Sequence, residues 1–224
     1  MEAAPTVDLV AEVLRVAQSL TPSGLTVGAA GNVSGRAADG SIVATPTAVA
    51  YDRLRSADLA RVGRDGTLLS GLPPTTELAL HQACYRRFAD IGGVVHAHPV
   101  HASMFAVAGE AIPPAVEEAV LHLGGAIRLV PYHLTGSDAL AAAVADALGD
   151  RSAVLLANHG LVCIGASPTD ALHAALVAEQ AAQIVWGARL LGPVQPIPPA
   201  AVAELSDRYR SARATWPRWS DPRP

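Results

Sequence analysis

The chain of 224 residues has no lysine, and all sixteen of its Lys+Arg positions are arginine. Catalysis through a lysine Schiff base is thereby excluded, both for carbonyl substrates and for pyridoxal phosphate. The GxxxxGK(S/T) phosphate loop is excluded with it, and no GxGxxG follows a strand-like run, so nucleotide cofactors have no support. Charge is also scarce: 16% of residues are charged and the formal net charge is -4. Such a chain has no basic stripe for a nucleic-acid backbone. The two cysteines, Cys84 and Cys163, lie far apart among apolar residues without a CxxC spacing. They read as reduced core thiols and suit the cytoplasm better than a disulfide framework. No apolar run has the length of a membrane span, and Asp8, Glu12 and Arg15 interrupt the first helical stretch, so neither a span nor a signal peptide is expected.

Half of the residues are apolar, enough for one core of ordinary size. Val7, Val10, Val13, Leu14, Ala17 and Leu20 follow helical spacing after Thr6, a candidate cap, and Gly24 ends that helix. Strand-like pieces follow at Val27 to Ala30, Asn32 to Arg36, Ser41 to Thr45 and Thr67 to Leu69, with Asp-Gly turns between them. Thr76 to Phe88 predicts a helix, Gly93 to His98 a buried strand, and a short helix runs on to Gly109. Ile127 to Val130, Ala153 to Ala157 and Leu161 to Ile164 predict further strands. Ser137 caps a helix over Asp138 to Leu148, and Ser167-Pro168 opens a long helix to about Leu191. A last helix covers 200–214. Without a regular βαβ rhythm, the pattern favours an α+β fold in one domain, 1–215, with a loosely ordered tail, 216–224.

His96-Ala97-His98 places two imidazoles on one face of a strand, where both can reach one metal ion. Taken alone, the pair is a weak signal, more often two core or surface histidines. His159, between Asn158 and Gly160, sits at a strand break that can aim its ring into a cleft, and three histidines would leave zinc an open position for substrate. A turn histidine bonded to backbone would look the same. Glu77 opens a helix after Pro73-Pro74-Thr75-Thr76. Beside zinc it would ligate the metal or move a proton alpha to a carbonyl, although ordinary first-turn glutamates share that setting. Gly31-Asn32-Val33-Ser34 and Thr45-Pro46-Thr47-Ala48 are turn-like segments of a kind that lines phosphates.

In chain order, GNVSGR at 31–36, TPTAVAYDRL at 45–54, PPTTELALH at 73–81, VVHAHPVHA at 94–102 and LANHGLVCIG at 156–165 resemble the class II aldolase family. That family is typified by fuculose-phosphate aldolase and includes ribulose-phosphate 4-epimerase, and the likeness covers about residues 8–195. It implies a three-layer α/β/α fold with a mainly antiparallel sheet, a cyclic homotetramer, and Zn2+ on His96, His98 and His159, with Mn2+ or Co2+ as alternatives. It also implies Glu77 as the catalytic proton carrier and a phosphate cradle of Gly31, Asn32, Thr47, Ala48, Thr75 and Thr76. Ala48 stands where the aldolases usually have glycine. A second departure lies at 115–123, where the aldolase tyrosine that handles the aldehyde oxygen is absent and Glu117, Glu118 and His122 are found. The expected reaction is retro-aldol cleavage of a ketose 1-phosphate to dihydroxyacetone phosphate. A 4-epimerase, a 3-oxo acid phosphate decarboxylase and an adducin-like interaction module stay open.

Overall fold

The structure, a computed structural model, describes residues 8–219. Its first half contains α1 (Leu9–Leu20), β1 (Asn32–Arg36), β2 (Ile42–Ala44), β3 (Ala60–Val62), β4 (Leu68–Ser70), α2 (Leu78–Arg87) and β5 (Gly93–Ala97). The second half adds α3 (Val100–Ala108), α4 (Glu117–Leu123), β6 (Arg128–Val130), α5 (Asp138–Leu148), β7 (Ala153–Leu156), β8 (Gly160–Gly165), α6 (Pro168–Leu191) and α7 (Pro199–Arg213). The eight strands form one sheet in the order β4-β3-β2-β1-β5-β8-β7-β6. All neighbours are antiparallel except β6 and β7, whose parallel pairing is reached through α5.

Alternation along the central strands divides the core in two. Val33, Val95, Ala97 and Cys163 pack beneath α1, α3, α4 and α6, whereas Val94, Val162 and Ile164 face α2 and α5. The result is the expected α/β/α sandwich. Both faces of β1 are buried, and its Asn32, Ser34 and Arg36 lie on the side that carries α2. α6 lies close to the sheet because its buried stripe is mostly alanine, at 171, 174, 175, 178, 181 and 182. Ser167 and Ser137 cap α6 and α5 as the sequence predicts, by accepting from the amides of Asp170 and Leu140.

Some elements differ from expectation. α1 is capped by Asp8, whose carboxylate accepts from the amides of Val10 and Ala11, while Thr6 lies outside the described residues. Val27 to Ala30 is a turn in which Ala30 donates to the Val27 carbonyl, and Val27 is 86% exposed. β3 and α4 have no counterpart in the sequence reading. β3 is only three residues long, and Val116 at the start of α4 offers no side-chain cap. Trp216 to Trp219, expected to be loose, are held: Trp216 packs on the α2/α5 core and the Trp219 amide donates to the Ala89 carbonyl. Residues 220–224 of that expected tail lie outside the described residues.

Candidate metal and proton-transfer site

His96 is fully buried at the sheet centre, opposite Asn32 on β1 and Val162 on β8. Its Nδ1 lies 2.9 Å from the Leu161 carbonyl, which can only accept, so in the neutral ring Nδ1 carries the proton and the Nε2 lone pair faces the site. His98 follows immediately after β5 and shares the face of His96. His159 rides the hairpin between β7 and β8, where Leu156 pairs with Gly160 and the His159 amide donates to Leu156. Asn158 supplies the left-handed residue of that hairpin, at φ 57°. A Cβ at Gly160 would fall 2.5 Å from the Ala97 carbonyl and 2.6 Å from His98 Cδ2, so glycine is what lets the hairpin press on β5. One ligand nitrogen from each ring lies within 4.8 Å of the other two.

Glu77, at the cap position of α2, points its buried carboxylate into this cluster. Oε2 accepts from Asn32 Nδ2 at 2.9 Å and lies 3.2 Å from His96 Nε2, while Oε1 lies 3.6 Å from His159 Nε2. Burial acts to raise the Glu77 pKa. When a proton sits among the histidines, hydrogen bonding from His96 and Asn32 and the positive field at His96 and His159 outweigh it and hold the carboxyl well below its usual range. Burial, then the neighbouring ring charges, lowers His98 to about 4, and burial lowers His159 as well.

The donor set suits a divalent cation. The low-pKa rings are neutral and rich in lone pairs, and His98 Nε2 approaches His96 Nε2 to 3.0 Å while the carboxylate stands beside His96 and His159. Lone pairs so arranged repel unless a proton or a cation lies among them. Glu77 Oε1 is buried without a hydrogen-bond partner, and so is His159 Nδ1. Three imidazoles with a carboxylate alongside are what zinc and its neighbours in the first transition row bind.

Sequence reasoning missed the group behind Glu77. His81 is fully buried, with Nε2 2.5 Å from Asn32 Oδ1 and Nδ1 2.7 Å from Ser34 Oγ, which in turn lies 2.9 Å from Tyr85 Oη. The signal was present: Glu77, His81 and Tyr85 recur every fourth residue along one helix face, and Asn32 and Ser34 share a strand face.

Residues 11–186 match the family model described as Class II Aldolase and Adducin N-terminal domain. The chain belongs to the class II aldolase family. It is similar to 3-oxo-tetronate 4-phosphate decarboxylase of Escherichia coli (strain K12), 32% identical over 201 residues that cover 87% of this chain and 93% of the relative. L-fuculose phosphate aldolase of the same strain is 32% identical over 205 residues, 91% of this chain and 94% of the relative. A solved L-fuculose 1-phosphate aldolase superposes with a TM-score of 0.86 over 94% of this chain and all of its own; at 24% identity it supports the fold.

The class II aldolase resemblance also names a phosphate cradle, and the structure brings its segments side by side next to Glu77. Pro46 bridges Pro74, Thr75 donates to the Thr45 carbonyl, and Thr45 donates to Val33. Gly31, at φ 76°, lies so close to β5 that a Cβ would fall 2.6 Å from the His96 carbonyl. Several donors are engaged among these segments. Thr47 bonds Pro73 through its amide and Pro74 through its hydroxyl, the Thr75 hydroxyl accepts from the Glu77 amide, and the Asn32 amide group joins Glu77 to His81. Thr76 and Ala48 are exposed at the rim. Ala48 has φ 60°, the left-handed conformation natural to the glycine usual there. Glu117, Glu118 and His122 are exposed on α4, which packs on α6 and α7, and the His122 ring meets the edge of His173. Within one chain they take no part in the histidine cluster.

Proposed function

We propose that the protein is a zinc-dependent lyase that cleaves a ketose 1-phosphate between the carbon alpha to its carbonyl and the next, hydroxyl-bearing carbon, releasing dihydroxyacetone phosphate. The observation that carries this reading is the buried Glu77 carboxylate, with an unpartnered oxygen, set within 3.2–3.6 Å of histidines that could hold a metal. A divalent cation on His96, His98 and His159 would polarise the carbonyl and stabilise negative charge developing on its oxygen.

The chain's own groups would do the rest. Of the segments at 31–32, 47–48 and 75–76, the exposed Ala48 and Thr76 at the rim and the Thr75 hydroxyl, which accepts from the Glu77 amide and keeps its own proton to donate, would hold the phosphate, which fits a chain without lysine. As the bond to the distal carbons breaks, the hydroxyl on the departing carbon gives up its proton, which passes through solvent to Glu77, the electron pair of the broken bond moves toward the carbonyl, and the aldehyde leaves. Glu77 then delivers a proton to the carbon left electron-rich, and Asn32 holds that carboxylate in line. The low pKa of Glu77 fits a group that is ionised at rest and takes a proton only transiently.

A second reading, decarboxylation of a 3-oxo acid 4-phosphate, is favoured by the absence of tyrosine from residues 115–123. Loss of carbon dioxide leaves no aldehyde oxygen to hold. Both cleavages end at dihydroxyacetone phosphate with one proton added at its hydroxymethyl carbon, so the role of Glu77 is common to them. A second copy of the chain would pack on the apolar side chains exposed on α3 and α6, Val100, Met104, Val107, Trp186 and Leu190, within reach of His98, in line with the expected homotetramer. The buried, unpaired Cys84 and Cys163 fit a reducing, cytoplasmic setting. Among the described residues no helix is long and apolar enough to cross a membrane.

The test is enzyme-dependent entry of solvent deuterium into the hydroxymethyl carbon of dihydroxyacetone phosphate, followed by product release from ketose 1-phosphates and from 3-oxo acid 4-phosphates. Exchange that stops with chelator and returns with zinc is expected. Glu77→Gln should lower it by about 10²–10⁴ with zinc retained. Exchange that proceeds undiminished in Glu77→Gln refutes the assignment of Glu77.

A further inference from the structure

The group behind Glu77 has a determined direction, which follows from which atoms can donate. An ionised carboxylate only accepts, so Asn32 turns its NH2 toward Glu77, and its carbonyl Oδ1 therefore faces His81. An amide oxygen also only accepts, so His81 Nε2 carries a proton. With that ring neutral, Nδ1 accepts from the Ser34 hydroxyl, whose oxygen in turn accepts from Tyr85. Each proton in the series has one place.

The spacing of sheet and helix supports this arrangement. Asn32 and Ser34 are two residues apart on a strand, about 7 Å, and Glu77, His81 and Tyr85 recur at helical turns of about 6 Å, so the two rows interleave. Burial, joined by any positive charge held at the His96 position, lowers the His81 pKa to about 3 against the opposing pull of Glu77, which keeps the ring neutral at working pH.

We propose that His81, held as its Nε2–H tautomer, is a positioning residue that locks the Asn32 amide in the one orientation able to donate to Glu77 and thereby aims the carboxylate. The inference rests on Glu77 being the proton carrier. It assigns orientation and not proton conduction, because the Asn32 amide interrupts any exchange of protons between His81 and the carboxylate. Without the imidazole donor, Asn32 is free to turn over. Its carbonyl would then face the carboxylate, and acceptor would meet acceptor in a buried site.

Two measurements on the zinc-loaded protein test this. The first is the ¹⁵N spectrum of the histidine rings, with the His81 signals identified by their loss in His81→Gln. A protonated Nε2 with a bare Nδ1, unchanged from neutral pH down to about pH 5, is expected from a buried ring of low pKa. An Nδ1–H tautomer or an imidazolium would overturn the proposal. The second compares His81→Leu with His81→Gln, whose side-chain amide can still donate to Asn32 and accept from Ser34. His81→Leu should lower kcat for deuterium exchange by about 10–100-fold, the usual range for partners that orient reacting groups, with KM and zinc content unchanged. His81→Gln should recover most of the loss. Full kcat in His81→Leu, where Glu77→Gln is inactive, overturns the positioning role alone. Full exchange in Glu77→Gln instead removes the reading of Glu77, while the ring spectrum still decides the direction of the hydrogen bonds. If His81→Leu does not fold, retained kcat in His81→Gln together with the Nε2–H spectrum supports the proposal, and any other tautomer overturns it.

Discussion

Replacing Ala48 with glycine should stabilise the protein. Ala48 is exposed and stands at φ 60°, where an alanine Cβ crowds its own carbonyl at a cost of about 1–2 kcal/mol. The loop around it imposes the angle. Thr47 is tied to Pro73 and Pro74 through its amide and hydroxyl at 3.1 and 2.8 Å, and beyond the turn Tyr51 Oη donates to the Gly31 carbonyl at 2.6 Å. Glycine removes the strain but frees the unfolded chain, which takes back about 0.4–1 kcal/mol. Because the methyl is exposed, little packing is lost, and the net gain is about 0.5–1 kcal/mol, or about 1–4 °C in Tm for a chain of this length. Equilibrium urea unfolding at fixed zinc and protein concentration measures it. The midpoint should rise with unchanged slope, and Ala48→Val should lower it. A midpoint for Ala48→Gly at or below that of the parent would mean that the loop does not force Ala48 into the left-handed region.

Three further outcomes follow from the same geometry. Chelation should lower thermal stability and zinc should restore it, by about 2.7 kcal/mol when free zinc stands at a hundredfold its Kd, as scanning calorimetry would register; no shift on chelation would argue against a bound metal. Stability should fall in acid partly through His81: its folded pKa of about 3 lies below the ordinary 6.5, so as pH drops from 6.5 toward 3 the unfolded state takes up a proton that the folded state refuses. Urea unfolding at pH 6 and pH 5 should therefore show a steeper loss in the parent than in His81→Gln, approaching about 1.4 kcal/mol per pH unit. Arg213→Ala should destabilise by about 2 kcal/mol, read by urea midpoint, because the buried guanidinium holds Asp90 at 2.7 and 3.3 Å and lies over the rings of Phe88 and Trp216.

Much of this was legible in the residues. The caps at Ser137 and Ser167, the β-branched run before His96 and the Asn-His-Gly break each carry a local cause, and the structure places them as read. The metal candidates could be named because their chemistry is rare and their spacing local. His81 escaped because its meaning depends on which strand lies beneath α2, and that pairing joins residues 47 positions apart at Ser34. α4 and β3 escaped for lack of length and capping signals, and the strand expected at Val27 fails because the segment is too exposed to join the sheet. Ala48 was marked by its departure from glycine, but only the structure shows that its angle is positive.

The two ends of the sheet, β4 and β6, are each three residues long, and proline stands at position 131 directly after β6 and at 73 shortly after β4. Stubs of this kind offer few open backbone groups for another chain to copy. Strand-by-strand growth into fibres is therefore discouraged. Extending either stub with alternating valine and threonine would remove that safeguard without touching the histidines.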